Sequence, residues 1–250
     1  MRQLYGVESL AELVRTHGPC VVLTGAGIST ESGIPDFRSP TGIWRRYDPM
    51  QYATIDAFHA TPAKVWDFYG KRLAALAEAE PNDGHRALSE LERRGWVEAV
   101  ITQNVDGLHA RAGSRRVVEV HGSIRTASCL ECGTTVSSEE AIALLPVPGC
   151  PSCDAVLKPD VVMFGELLPE AAIGRVTRLA AEAGLMLVVG SSLEVFPVAG
   201  LPLETLAAGG RLAIVNRGET QFDERADVVI DDGAGATLAA LARLLPERLE

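Results

Sequence analysis

No apolar run in this sequence approaches the roughly 18 to 20 residues needed to cross a bilayer. The longest, such as 185–190, are the length of buried strands. The first residues, MRQLYGVESLAELVRTHG, have polar residues spread throughout and lack the apolar centre of a signal peptide. Basic excess is missing too: 23 Lys and Arg against 33 Asp and Glu leave a formal charge of −10. No chain-wide positive field therefore exists to hold nucleic acid or an anionic membrane, whereas an acidic surface tolerates a cationic peptide. Cysteine is sparse, and four of the 5 cysteines fall in two CxxC pairs. In a reducing compartment that spacing points to metal rather than disulfides. Repeats and low-complexity tracts are absent. The expectation is a cytoplasmic protein with no nucleic-acid or membrane partner.

What is there is ordinary globular composition, 47% apolar and 22% charged, over 250 residues. That length supports one large domain, or one domain with a small module. Short apolar runs at 20–27, 97–104, 117–122, 185–192 and 211–216, with a weaker one at 227–231, alternate with helical spacing at 9–15, 85–94, 170–183 and 234–245. Continuous apolar strands are buried on both faces, so the reading is an α/β fold with a doubly wound parallel sheet, Rossmann-like. Residues 1–33, 81–122 and 161–250 would form this domain. Residues 34–80 and 123–160 break the alternation and would pack together as a smaller one, part helical and part zinc ribbon. Ligands of such sheets sit beyond the carboxyl ends of the strands.

The segment 25-GAGISTESGIPDFR-38 follows the first strand directly. Glycines let backbone approach a pyrophosphate, and a following helix N-terminus favours anions. The third glycine of GxGxxG is missing, because Thr30 takes its place. On these residues alone a nucleotide loop and a plain tight turn both stand. Cys129, Cys132, Cys150 and Cys153, with 133–149 between the pairs, can supply four thiolates to a tetrahedral zinc. Four protein ligands leave no open position, so such a metal is structural; thiol exchange is the competing reading. Cys20 lies in an apolar strand and reads as core packing. His121 closes an apolar run next to Gly122, and an imidazole with an unperturbed pKa near 6.5 can accept a proton at neutral pH.

Taken together, GAGIS with SGIPDFR, 103-QNVDGLH-109, the HG at 121–122, the paired CxxC motifs, 164-FGE-166, 190-GSS-192 and Asn216 resemble the sirtuin family, in its order and over almost the whole chain. The resemblance implies NAD as a consumed co-substrate, one structural zinc, and acylated lysine-containing proteins or peptides as partners. It implies removal of the lysine acyl group (acetyl, and also succinyl or malonyl), giving nicotinamide and O-acyl-ADP-ribose. His121 would act as base, and Asn104 would position a water or sugar hydroxyl. NAD would be held by Gly25, Ala26, Gly27, Ile28, Ser29, Glu31, Phe37, Arg38 and Trp44 of the first loop. Gln103, Asn104, Val105 and Asp106 would hold its nicotinamide and ribose. Gly190, Ser191, Ser192, Asn216, Arg217, Gly218 and Ala234 would take the adenosine half. Relatives often carry Thr at position 191; serine keeps the hydroxyl.

Phe164, Gly165, Glu166 and Val195 resemble segments that clamp the substrate main chain as an added strand. Ala53, Tyr69 and Arg72 match the pocket of members that accept acidic acyl groups, with Ala53 leaving room and Arg72 offering a guanidinium fork. Asp36 departs from that branch, which often has Thr before the FR. His17, His59, His85 and His109 read as surface, capping or packing residues. The competing functions are an ADP-ribosyltransferase using the same pocket, a zinc-ribbon interaction module on an inert nucleotide-binding fold, and a hydride-transferring dehydrogenase. The last lacks its third glycine and its acidic ribose-binding residue.

Overall fold

The computed structural model describes residues 3–248. Nine strands run through them: β1 Cys20–Thr24, β2 Val97–Thr102, β3 Val117–Glu119, β4 Gly122–Cys129, β5 Thr135–Ser137, β6 Leu157–Val161, β7 Leu185–Val189, β8 Arg211–Val215 and β9 Val228–Ile230. Six form one sheet in the order β3-β2-β1-β7-β8-β9, and every neighbouring pair is parallel. This is the doubly wound sheet expected from the alternating runs. The order reverses direction between β1 and β7, which opens a crevice beyond their carboxyl ends.

The apolar runs are continuous because both sheet faces are covered, and the pleat deals alternate side chains to each. Val22, Val100, Leu187 and Ala213 pack into one core with Leu10, Leu88 and Leu238, which come from helices Val7–His17, Asp83–Arg93 and Ala234–Leu244. Val21, Ile101, Met186 and Ile214 pack the other way, against Val176, Leu179 and Leu201, from helices Glu170–Glu182 and Leu201–Ala207.

Two local differences from the sequence reading matter for the site. The turn after β1 is a 3₁₀ helix, Ala26–Ser32, closed by Gly33 at φ +82, not the α-helix N-terminus of a dehydrogenase. The run 117–122 does not stay a strand to its end: β3 stops at Glu119 and the chain turns through Val120 and His121 into β4. Gly122 makes that turn possible, with φ +77 and a backbone so close to the Asp160 carbonyl that no Cβ would fit.

Residues from 34–79 and from 124–163 share a third apolar core. Helix Pro62–Glu78 lies on the antiparallel sheet β5-β4-β6, and the fully buried Trp66 joins the two by donating its indole N–H to the Leu157 carbonyl at 2.7 Å. Replacing Trp66 with alanine should lower the unfolding free energy by about 3–5 kcal/mol, read by equilibrium urea denaturation. A loss under about 1 kcal/mol would mean that this core is not what holds the segments together.

Candidate active site

The tips of β1 and β7 meet through bare backbone. Gly27 N–H donates to the Gly190 carbonyl at 2.8 Å, and Gly25 N–H to the Val189 carbonyl at 3.1 Å. A Cβ on Gly27 would stand 2.7 Å from Gly190 Cα. The glycines are thus required first by strand-tip packing, and an open space lies in front of them.

That space is a cavity of about 1270 Å³. Its wall contains Gly25, Ala26, Gly27, Ser29, Glu31, Phe37, Arg38, Trp44, Gln103, Asn104, Val105, Asp106, His121, Gly190, Ser191, Ser192, Asn216, Arg217 and Ala234. It also contains Ala53, Tyr69, Arg72, Phe164, Gly165, Glu166 and Val195. Two expected residues are not in the wall. Ile28 turns its side chain into the sheet core beside Leu88, because the 3₁₀ turn, with three residues per turn, puts position 28 on its core side. Gly218 instead uses its carbonyl to accept from Asn216 Nδ2 at 3.2 Å, fixing the turn after β8.

At the centre of the wall the His121 ring nitrogen Nδ1 lies 3.1 Å from the Gln103 carbonyl. A carbonyl can only accept, so Nδ1 carries the proton and Nε2 presents its lone pair. Burial pulls the pKa of His121 below the ordinary 6.5, opposed by the bond to Gln103. The ring is therefore a neutral, oriented base at pH 7.

Beside it, Asn104 Nδ2 donates to the Gly25 carbonyl and to Ser29 Oγ, both at 3.1 Å. Ser29 in turn donates to Asp106 Oδ2 at 2.7 Å. Gln103 Nε2 reaches Ser191 Oγ at 3.0 Å, joining the tips of β2 and β7. The polar residues after three strands, β1, β2 and β7, thus form one web. Behind it lie two histidines that the sequence reading left as capping or packing residues. His85 Nδ1 accepts from Asn82 N–H and closes a capping box on helix Asp83–Arg93. His109 Nε2 donates to Thr24 Oγ1 at 2.9 Å, since the Thr24 hydroxyl proton goes to Thr102.

At the opposite end, Arg72 is stacked with its guanidinium carbon 5.0 Å from the Phe37 ring centroid and 5.8 Å from that of Phe68. Among the described residues no hydrogen bond or ion pair engages it, and burial lowers its pKa from 12.5. Tyr69, one turn away, has its phenol pushed up to about 12, chiefly by burial. Asp36 Oδ1 accepts from the backbone N–H of Arg38 and Ser39 at 2.9 and 2.8 Å. Arg38 forms an ion pair with Glu194 at 2.8 Å, bridging the first loop and the segment after β7. Neither Glu194 nor the supporting histidines were singled out from sequence; Glu194 has no local signal, since its role exists only across the cleft.

About the zinc module, the four sulfurs of Cys129, Cys132, Cys150 and Cys153 all lie within 4.8 Å of one another. Tetrahedral Zn–S bonds of about 2.3 Å place sulfurs roughly 3.8 Å apart, and Cys129–Cys153 and Cys132–Cys150 stand at 3.5 Å. The geometry fits zinc with no ligand position to spare.

Residues 25–197 match the Sir2 family, and the chain belongs to it. The NAD-dependent protein deacetylase 1 of Geobacillus kaustophilus is 51% identical over 84% of this chain and 86% of its own. The NAD-dependent protein deacylase 2 of Pyrobaculum aerophilum is 45% identical over 96% of each. Among solved structures, a mutant Sir2 homologue in complex with ADP-ribose superposes with a TM-score of 0.91 at 41% identity, covering 95% of both chains. A Sir2–p53 peptide–NAD+ complex gives 0.88 at 38%, covering 96% and 98%. With that membership come NAD as co-substrate and the cysteine tetrad as a zinc-binding site.

Burial pushes His85 down to about 4 and His109 down to about 3. In the unfolded chain both titrate near 6.5. As pH falls below 6.5 the unfolded state binds these protons first, so the stability they contribute is complete above that pH and is lost on the way down to 3–4. Replacing His109 with glutamine should shrink the loss of stability between pH 7 and pH 5 by on the order of 2 kcal/mol. Urea unfolding at the two pH values measures this; an unchanged gap would show that the imidazole is charged in the folded protein.

Proposed function

We infer that this protein is an NAD-dependent lysine deacylase that removes acetyl groups and, beyond them, acidic acyl groups such as succinyl and malonyl from proteins. The observation that carries the reading is the Nε2 of His121, left without a hydrogen bond among the described residues while Nδ1 is held by the Gln103 carbonyl and the His121 carbonyl by Val162 N–H. NAD, when bound, supplies a ribose carbon made electrophilic by its nicotinamide leaving group. Gly25 to Ser29 would cradle the pyrophosphate with backbone, and Asp106 would accept from the carboxamide. Asn216 and Ser192 would face the adenosine half. His121 Nε2 would take the proton of a ribose hydroxyl, a role suited to a ring that is neutral at pH 7. Phe37 and Trp44, whose rings lie 5.1 Å apart, would exclude water over the reacting carbon.

On the substrate side, Phe164 to Glu166 and Val195 would take the peptide main chain as an added strand, which reads few side chains. The acyl chain would enter between Ala53, Tyr69 and Arg72. A guanidinium with no acceptor among the described residues, flanked by a phenol, suits a distal carboxylate by a charge-assisted pair of hydrogen bonds. Residues 34–80 with 123–160 would act as a small domain closing over the sheet domain. Four free thiolates on zinc suit a reducing compartment, hence the cytoplasm.

Mass spectrometry of acetyl- and succinyl-lysine peptides, with and without NAD, tests both levels of the reading. Acyl loss should require NAD and release nicotinamide. The Arg72→Met variant should lose desuccinylation by at least 100-fold, about 3 kcal/mol, with deacetylation within fivefold of wild type; equal losses would remove the clamp. His121→Tyr should lose at least 1000-fold in both reactions while keeping its thermal midpoint. For wild type, kcat/KM should fall only as pH drops below about 6.5, the acid limb reflecting protonation of His121. An acid limb beginning well above pH 7 would exclude this ring as the base.

A further inference from the structure

Strand β6 ends where the substrate segment begins, and one buried lysine spans the junction. Lys158 pairs with Ser128 of β4, next to the zinc ligand Cys129. Its side chain is 8% exposed, and its ammonium has three acceptors: the Pro159 carbonyl at 3.1 Å, the Val161 carbonyl at 2.8 Å and Glu166 Oε2 at 2.9 Å. A lysine this deep is costly unless every proton is engaged; here all three have partners. Glu166 Oε2 also accepts from Met163 N–H at 2.7 Å, so the pair ties β6 to the loop that follows it.

That loop is held elsewhere only by main chain. Val162 N–H donates to the His121 carbonyl at 2.8 Å, Phe164 N–H to the Ala53 carbonyl at 2.8 Å, and Ile55 N–H to the Phe164 carbonyl at 3.0 Å. Between these anchors stands Gly165 at φ +90; across it Glu166 N–H donates to the Met163 carbonyl at 3.0 Å, and the Lys158–Glu166 pair is the side-chain link that ties this turn back to β6. The same carboxylate faces the acyl pocket, where its charge raises the pKa of Tyr69. Without a cation it would carry an uncompensated negative charge at the pocket mouth.

We propose that Lys158 is a positioning residue for the substrate: through Glu166 it sets the shape and neutralises the charge of residues 163–166, which receive the acylated peptide. The proposal rests on the reading that this segment binds substrate. It separates Lys158 from a purely structural core residue, because the effect falls on peptide affinity and not on NAD or on turnover.

Steady-state kinetics of the full chain with an acetyl-lysine peptide test it. Lys158→Met should raise the peptide KM at least tenfold, with the NAD KM within twofold, kcat within threefold and zinc content unchanged. Lys158→Arg, which keeps a cation able to reach Glu166, should bring the peptide KM back to within threefold. A peptide KM unchanged in Lys158→Met, or an equal loss in every parameter, overturns the proposal. Should Lys158→Met fail to fold, Glu166→Gln removes the charge pair while keeping an acceptor for Met163 N–H, and a wild-type peptide KM there overturns it equally. If the wild-type chain deacylated nothing, the functional reading would fall separately. Fluorescence anisotropy of a labelled acetyl-lysine peptide on the same variants would then decide the role of Lys158, with equal affinities refuting it.

Discussion

The contact on which the whole site depends is the one between two strand tips that have no side chains. Gly27 and Gly190 approach so closely that neither could carry a Cβ, and the hydrogen bond between them locks the first turn onto the end of β7. This fixes where the crevice opens and lines it with Gly25, Ala26 and Gly27 of the turn. Ser29 is then delivered to Asp106 and Asn104, and Gln103 to Ser191. A parallel sheet supplies strand ends in a row; the glycines convert three of those ends, β1, β2 and β7, into one rigid floor.

A rigid floor matters because His121 is not itself on a strand. It sits in the turn between β3 and β4, and its ring is aimed by a single bond from Nδ1 to a main-chain carbonyl. Main chain is the least mobile acceptor available, and the carbonyl belongs to Gln103, already tied to the strand tips. Behind the floor, His85 and His109 fill space that apolar residues could fill. They are kept neutral and hydrogen-bonded to Asn82 and Thr24. Their presence under Ser29 and Thr24 gives the floor polar support without placing a second charge beneath the site.

Much of this was legible in the sequence, for identifiable reasons. Apolar runs buried on both faces announce a parallel sheet, and the five strong ones all became strands of it. The polar residues at their ends had no core function to serve, so they marked the crevice. The cysteine spacing gave the metal module outright. What was not legible depends on distance through space. Ile28 carries the right neighbours for a cofactor loop, yet a 3₁₀ turn points it into the core. The end of β3 was hidden because Val120 continues the apolar run, while the reversal is dictated by Gly122 meeting Asp160 from a strand nearly 40 residues away. Lys158 looks like a surface lysine in sequence, and only the fold buries it against Glu166.

At the proposed acyl end, two charged residues differ in how their local surroundings use the charge. An aspartate at 36 would set a negative charge against any acidic acyl group if its carboxylate were free. Its Oδ1, however, accepts two backbone N–H groups of its own turn, which is what short acidic side chains do in loops. The charge is spent on shaping the segment 36–39. Arg72 is the opposite case: a partly buried cation supported by two aromatic faces and given no acceptor among the described residues. Aromatic faces offset only part of the lost hydration of a guanidinium, so the folded protein alone leaves this group under-satisfied. A carboxylate entering past Ala53 would complete it, and that unfilled hydrogen-bonding capacity would be the physical basis of the proposed preference for an acidic acyl chain.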